Sequence, residues 1–412
     1  MAPRWQNSAQ ASVVFETSSP RYQVLHAFGG QQAPAGDRPY GYVIPDRVGN
    51  VYGTTSDGGG GGQFNFPFGV IYKLDRNGKE TVLHKFNGGP TDGEIPWAGL
   101  VADPVGNLYG TTSGGGSLNF GSVFKLSNTG SERLLYSFHG NDGAIPLAAL
   151  VIDAAGNLYG TTTGCGASGL NCGDQFGKVF KIDQSGKETV LHTFTKTNGG
   201  GEFPQSGLIR DAAGNLYGTT QASGGVGHGT VYKLDTAGRE TVLHTFMGPE
   251  GKWPQFGSLI ADASGNLYGV TNNGGKSNVG VVFKLAPTGK FTVLYDFKGG
   301  VDGGNPNAPL VRDAAGNIYG TAPWGGGIGW GGGIGCGGGP GCGIIFKIDS
   351  AGRKSVLHSF SSGNDGANPL DGLIADSSGN LYGVTEWGGD TTVQCGGITT
   401  GCGVVFKLSL GR

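Results

Sequence analysis

Residues 153–162 read DAAGNLYGTT, and residues 211–220 repeat the same ten letters. Around them the chain writes one longer phrase seven times: D-x-x-G-N-L-Y-G-T-T, a Gly-rich stretch, V-F-K-L-D, a short turn, and E-T-V-L-H-T-F. Its Asn falls at Asn50, Asn107, Asn157, Asn215, Asn266, Asn317 and Asn380, a period of 50 to 63 residues. A long period built from several short segments marks a repeat architecture.

Each repeat breaks into four short β-type runs separated by turn chemistry. In the second they are 99–102, 108–112, 122–126 and 133–138. Asp103-Pro104-Val105-Gly106-Asn107 joins the first two: the Asp accepts backbone hydrogen bonds and the Gly supplies a left-handed position. Asp235-Thr236-Ala237-Gly238 joins a third and fourth run in the same way. Four antiparallel strands per repeat, without helical periodicity, predict an all-β, seven-bladed β-propeller of four-stranded blades. The ends predict how it closes. Residues 22–28 are a fourth strand without its predecessors, and 404–408 a third strand without a successor. The N-terminal strand should therefore complete the C-terminal blade and cover an edge that would invite aggregation. The expected layout is an N-terminal extension over 1–21 and one propeller domain over 22–409, with blade 7 made of 370–409 plus 22–28.

Composition narrows the function classes. Gly supplies 86 of 412 residues, yet Val, Leu, Phe and Tyr recur at fixed places, so the chain is neither collagen-like nor disordered. Only 14% of residues are charged and the formal net charge is −2, which leaves no basic stripe for nucleic acid. No apolar run reaches the ~18 residues of a membrane span. Met1 to Pro20 lacks the layout of a secretory signal, so either an export signal has been removed or the protein stays inside the cell. A monomer without a cofactor is expected.

The G-N-L-Y-G-T-T and V-F-K-L-D segments resemble the tandem GloVer repeat of choice-of-anchor proteins, over nearly the whole chain. That resemblance implies a bacterial exported protein whose relatives carry varied C-terminal attachment signals, and it implies no established activity. The chain ends at Arg412 without such an anchor, which favours secretion or a lost anchor over surface attachment.

Several chemically suggestive residues recur too regularly to be a site. His26, His84, His192, His244 and His358 share one fourth-strand slot, filled by Tyr136 and Tyr295 in the other blades. They read as packing residues, as do the sevenfold Lys of the third strand and the sevenfold Asp of the first turn. Asp92, Asp142, Asp302 and Asp365 sit in Asp-Gly loops, but no spacing gathers the six to eight oxygens calcium needs, so no metal is expected. The cysteines pair locally: Cys165 with Cys172, Cys336 with Cys342, Cys395 with Cys402. Five or six intervening residues suit zinc poorly and argue for loop disulfides and an oxidising compartment.

A ring of equal blades has no preferred site, so function is expected where the repeats diverge. From the last Thr-type position to the third-strand aromatic, blades 2, 4 and 5 have 11 residues, while blade 1 has 16, blade 3 has 17, blade 6 has 23 and blade 7 has 20. Blades 6, 7 and 1 become neighbours on closure, and their loops hold Trp324, Trp330, Trp387, Phe64, Phe66 and Phe68. Tyr40, Asn305, Asn307 and Asp371 should lie near. Aromatics beside amides and carboxylates suit a carbohydrate platform, which predicts a secreted binding or scaffold protein engaging glycan or another surface partner. The alternative is a polysaccharide-active enzyme on the same face. A glycoside hydrolase would draw on Asp371 and Glu386, a lyase on Tyr40 with Arg38 or on His228. If the long loops carry no ligand, the channel mouth around Gln205, Gln255 and Asn307 is the next place to look.

Overall fold

The computed structural model describes residues 19–29, 36–59, 68–165, 176–196, 200–223, 227–327, 341–393, 395 and 401–411. Seven four-stranded antiparallel sheets follow one another along the chain. In blade 2 the strands are Val101–Ala102, Leu108–Thr112, Ser122–Leu126 and Glu132–Ser137. The innermost strand has only two residues in every blade, shorter than the sequence suggests, because it lines the channel where seven sheets converge. The seventh sheet takes its outer strand, Arg21–Ala27, from the N-terminus. Arg21 pairs with Ser409, Tyr22 with Leu408 and Ala27 with Val404, so the closure expected from the orphan strands is present.

The repeated letters now have causes. The Gly of G-N-L-Y-G faces the third-strand aromatic: a Cβ on Gly110 would lie 2.5 Å from Phe124 Cζ. The terminal Phe of each fourth strand is buried and meets the next blade's third-strand aromatic. Phe138 meets Phe180 at 5.1 Å edge-to-face, and Phe28 meets Tyr72 at 5.2 Å across the closing seam. Such pairs add about 0.5–1.5 kcal/mol each beyond area burial.

A second fastener crosses every seam. The residue before the Pro that precedes each inner strand is left-handed: Arg38, Ile95, Ile145, Phe203, Trp253, Asn305 and Asn368 all have φ between 52° and 58°. This is a costly conformation for β-branched Ile95 and Ile145. Each donates its N–H to the carbonyl just ahead of the previous blade's third strand, as in Ile95 to Phe68 at 2.9 Å and Arg38 to Cys402 at 2.9 Å. The following Pro seats on a Gly there: a Cβ on Gly121 would come 2.7 Å from Pro146 Cδ.

The repeated polar residues are structural, as expected. In every first turn the Asp accepts from the Asn amide and the Tyr hydroxyl, for example Asp153 from Asn157 at 2.8 Å and Tyr159 at 3.0 Å. Burial alone would raise the Asp153 carboxyl, but these bonds hold it below its ordinary value. Each third-strand Lys lies over its neighbour's Tyr ring, Lys125 over Tyr109 at 5.5 Å. The fourth-strand His and Tyr face a residue at the start of the next blade's outer strand: His192 meets Glu240 at 3.3 Å, and His358 stacks on Tyr22 at 3.8 Å.

Candidate functional site

Loops that join second to third strands and fourth to first strands emerge on one face, around the channel mouth. Seven residues, each following a seam proline, ring that mouth: Tyr40, Trp97, Leu147, Gln205, Gln255, Asn307 and Leu370. They share one backbone position but differ in chemistry: two aromatics, two leucines and three amides. A cavity of ≈ 160 Å³ opens among Tyr40, Trp97, Leu147, Phe256, Asn307 and Asp371. Beneath it the channel widens to ≈ 430 Å³ between inner strands, with an apolar lining broken by Arg312.

Blades 7, 1 and 2 build the most elaborate part of the rim. Tyr40 stacks on Trp97 with centroids 4.5 Å apart, and Trp97 remains 36% exposed. The Tyr40 hydroxyl donates to Glu386 Oε1 at 2.5 Å. Burial, then the Glu386 carboxylate, pushes the Tyr40 phenol far above its ordinary value. Burial likewise raises Glu386, against the bond from Tyr40 and the charge of Arg38. Arg38 pairs with Asp57 at 2.9 Å and lies over the Trp387 ring at 5.5 Å. Next to it Asp37 is fully buried, and desolvation, helped by Asp57 and opposed by Arg38, raises its carboxyl to about 7. Asp371 accepts from the Tyr42 and Gly372 N–H groups at 2.6 Å each, and burial pushes it to about 7.

The sequence-predicted residues thus divide. Arg38, Tyr40, Glu386 and Trp387 form one cluster, and Tyr40, Asn307 and Asp371 line one cavity. Trp324 and Trp387 are equivalent, bridging to Gly304 and Ala367 respectively. Trp387, however, packs against the core clusters on both sides of blade 7 and carries Arg38 on its ring. Asn305 spends its amide on the Asn272 carbonyl of blade 5, 3.0 Å away. Phe68 packs into the blade 1–2 core and supplies a seam carbonyl. His228 belongs to blade 4, far around the ring, where its carbonyl holds the Trp253 N–H at 2.8 Å. Trp330, Phe64 and Phe66 lie outside the described residues.

Sequence reasoning missed Trp97 and Phe256. Both sit in short connections, whereas attention fell on long loops. For Trp97 the available signal was the position after the seam proline, where the repeats differ; Phe256, one residue further along, carried none. Gln205 and Asn307, at the position after the proline, each hold a buried amide oxygen with no hydrogen-bond partner among the described residues.

Cys395 and Cys402 form a disulfide under Trp387. Cys165 and Cys342 are also disulfide-bonded, while Cys172 and Cys336 fall outside the described residues. No helix among the described residues is long and apolar enough to cross a membrane.

The Gloeobacter/Verrucomicrobia repeat matches residues 4–176 and again 170–334, most of the chain. The chain belongs to that family. No curated protein matches this repeat protein. Its fold is shared with a fungal alcohol oxidase of the AA5 family in complex with copper, at 14% identity and TM-score 0.56, over 92% of this chain and 76% of that one. It is shared too with the extracellular domain of a B. thetaiotaomicron protein described as a one-component system. There the identity is 12% and the TM-score 0.51, over 94% of this chain and 40% of that one. A gluconolactonase from Xanthomonas campestris aligns at 13% identity and TM-score 0.42, over 77% and 91%. At these identities the likeness concerns the fold alone.

Proposed function

We propose that this repeat protein is a secreted binding propeller that takes a glycan at the channel mouth, against the rim of blades 6, 7 and 1 and the adjoining Trp97 of blade 2. The observation that carries the reading is a juxtaposition. Trp97, exposed and stacked on the half-buried Tyr40, stands on the same ring as the buried amide oxygens of Gln205 and Asn307, which have no hydrogen-bond partner among the described residues. A flat apolar surface beside hydrogen-bond acceptors suits a ligand with C–H faces and hydroxyl donors. The disulfide between Cys395 and Cys402 supports an oxidising compartment. Trp324 and Trp387 remain as flanking contacts, with Trp387 buttressing Arg38.

The catalytic alternative draws less support. A lyase base must ionise near neutrality, yet Tyr40 is held in the opposite direction by burial and by Glu386. Asp371 has both oxygens engaged by backbone N–H groups. The test is a glycan-array screen of wild type and Trp97→Ala, with product analysis on any polysaccharide retained. Binding that Trp97→Ala abolishes, without chain cleavage, supports the reading. Cleavage that Glu386→Gln stops, or binding that is indifferent to Trp97, overturns it.

A further inference from the structure

The outer rim repeats one contact seven times, and at a single seam three metal-ligating groups coincide. At each seam the fourth-strand slot, the acid of the following loop and the first residue of the next outer strand come together. At the seam between blades 1 and 2 these are His84, Asp92 and Glu132. His84 Nε2 lies 3.3 Å from Asp92 Oδ1 and 3.9 Å from Glu132 Oε2. One ligand atom from each of the three falls within 4.8 Å of the others. The other seams each lack a member. Blades 2 and 5 place Tyr136 and Tyr295 in the slot, and His244 and His358 face Phe291 and Tyr22 in place of Glu. His26 and His192 face Glu80 and Glu240 but have no Asp-Gly or Glu-Gly loop behind them like the one that supplies Asp92.

Two features separate this triplet from an ordinary ion pair. Its spacings are loose for charge-assisted hydrogen bonds, which close to about 2.7–2.9 Å. They are close to the edge of a tetrahedron with metal–ligand bonds of about 2.0–2.1 Å, which is about 3.4 Å. Moreover, Glu132 has a side chain only 9% exposed, and its Oε1 has no hydrogen-bond partner among the described residues; the same holds for Glu80, Glu188 and Glu240 at other seams, but only Glu132 has both a slot His and a loop Asp beside it. A buried carboxylate left unpaired is costly, and a cation removes the cost. Asp92 is already aimed: it accepts from Gly93 N–H at 2.7 Å and Asn87 N–H at 2.9 Å, the kind of outer support that orients a metal ligand.

We propose that His84, Asp92 and Glu132 bind a divalent transition ion of the zinc class and clamp blade 1 to blade 2. One imidazole with two carboxylates is a borderline donor set suited to zinc, and two anionic ligands balance its charge. The remaining coordination falls to water at the half-open rim.

The test uses untagged, disulfide-intact full-length protein and Zn²⁺ as the probe. Wild type should bind one Zn²⁺ per chain by chelator competition, and Co²⁺ substitution should give visible d–d absorption. His84→Tyr copies the slot residue of blades 2 and 5, so the fold is retained. It should weaken Zn²⁺ at least tenfold and abolish the Co²⁺ bands, whereas His192→Tyr should change neither. If His84→Tyr does not fold, Glu132→Phe, which copies Phe291, takes its place with the same expectation. No Zn²⁺ binding by wild type, or unchanged affinity in the folded variant, overturns the site.

Discussion

The two ends of the channel teach opposite lessons. On the underside, the first turns carry seven copies of one Asp–Asn–Tyr network, with amide-to-carboxylate distances of 2.6–2.8 Å throughout. At the mouth, seven equivalent positions hold Tyr, Trp, Leu, Gln, Gln, Asn and Leu. Identical residues at equivalent sites can only do a job that every blade needs, which is to fold. Residues that differ at equivalent sites are free of that job. Within one chain, divergence among repeats therefore marks the positions that the shared frame does not dictate.

The strongest challenge to this contrast is to remove something all blades share. Phe28 is fully buried at the closing seam, and Phe28→Ala should cost about 3–5 kcal/mol, read as a lowered denaturation midpoint. Deleting through residue 28 should also strip the 404–409 edge and abolish cooperative unfolding; an unchanged melting temperature would refute closure. Next, Asp153→Ala leaves the Asn157 amide and Tyr159 hydroxyl without their acceptor. It should cost about 1–3 kcal/mol while ligand affinity stays constant in titration. Trp97→Ala is the mirror image: affinity for an array-identified glycan should fall by about 1–3 kcal/mol with little change in melting temperature.

A further effect is one of pH. Asp37 is raised from 3.8 to about 7, so the folded chain keeps a proton that the unfolded chain has already released. Stability should therefore decline as pH rises from about 4 to about 7 and flatten above that. The first-turn carboxylates, held low, act in the other direction and withdraw stability as the medium becomes strongly acidic. Thermal melts should peak in mildly acidic buffer, and Asp37→Asn should shrink the decline on the neutral side. An unaltered pH profile would mean that Asp37 is not the group responsible.

Much of the fold was legible because its causes are local. Asp153, Gly156 and Asn157 build a turn from their own neighbourhood, and Gly110 betrays the aromatic packed against it. The orphan strands 22–28 and 404–408 disclosed closure by simple arithmetic. The site was less legible because it is assembled from residues that are distant in sequence. Tyr40 meets Trp97 only across a blade seam and Glu386 only after the ring closes, and no spacing encodes those meetings. Loop length pointed to the sector of blades 6, 7 and 1, yet it drew attention to Trp387, which packs against two core clusters and carries Arg38 on its ring. The rim triplet was hidden for a related reason. Each member repeats around the ring, and only their coincidence at one seam is unusual.

The left-handed residue, the proline after it and the glycine that receives it hold every seam by the bases of the loops alone. Nothing in that joint reads the loop above it, which is why connections of 11 and 23 residues coexist in one ring. Loops could therefore be grafted from blade to blade, or replaced by foreign segments, without renegotiating the frame. The molecule is a socket board with seven interchangeable positions, and this sequence is one filling of them.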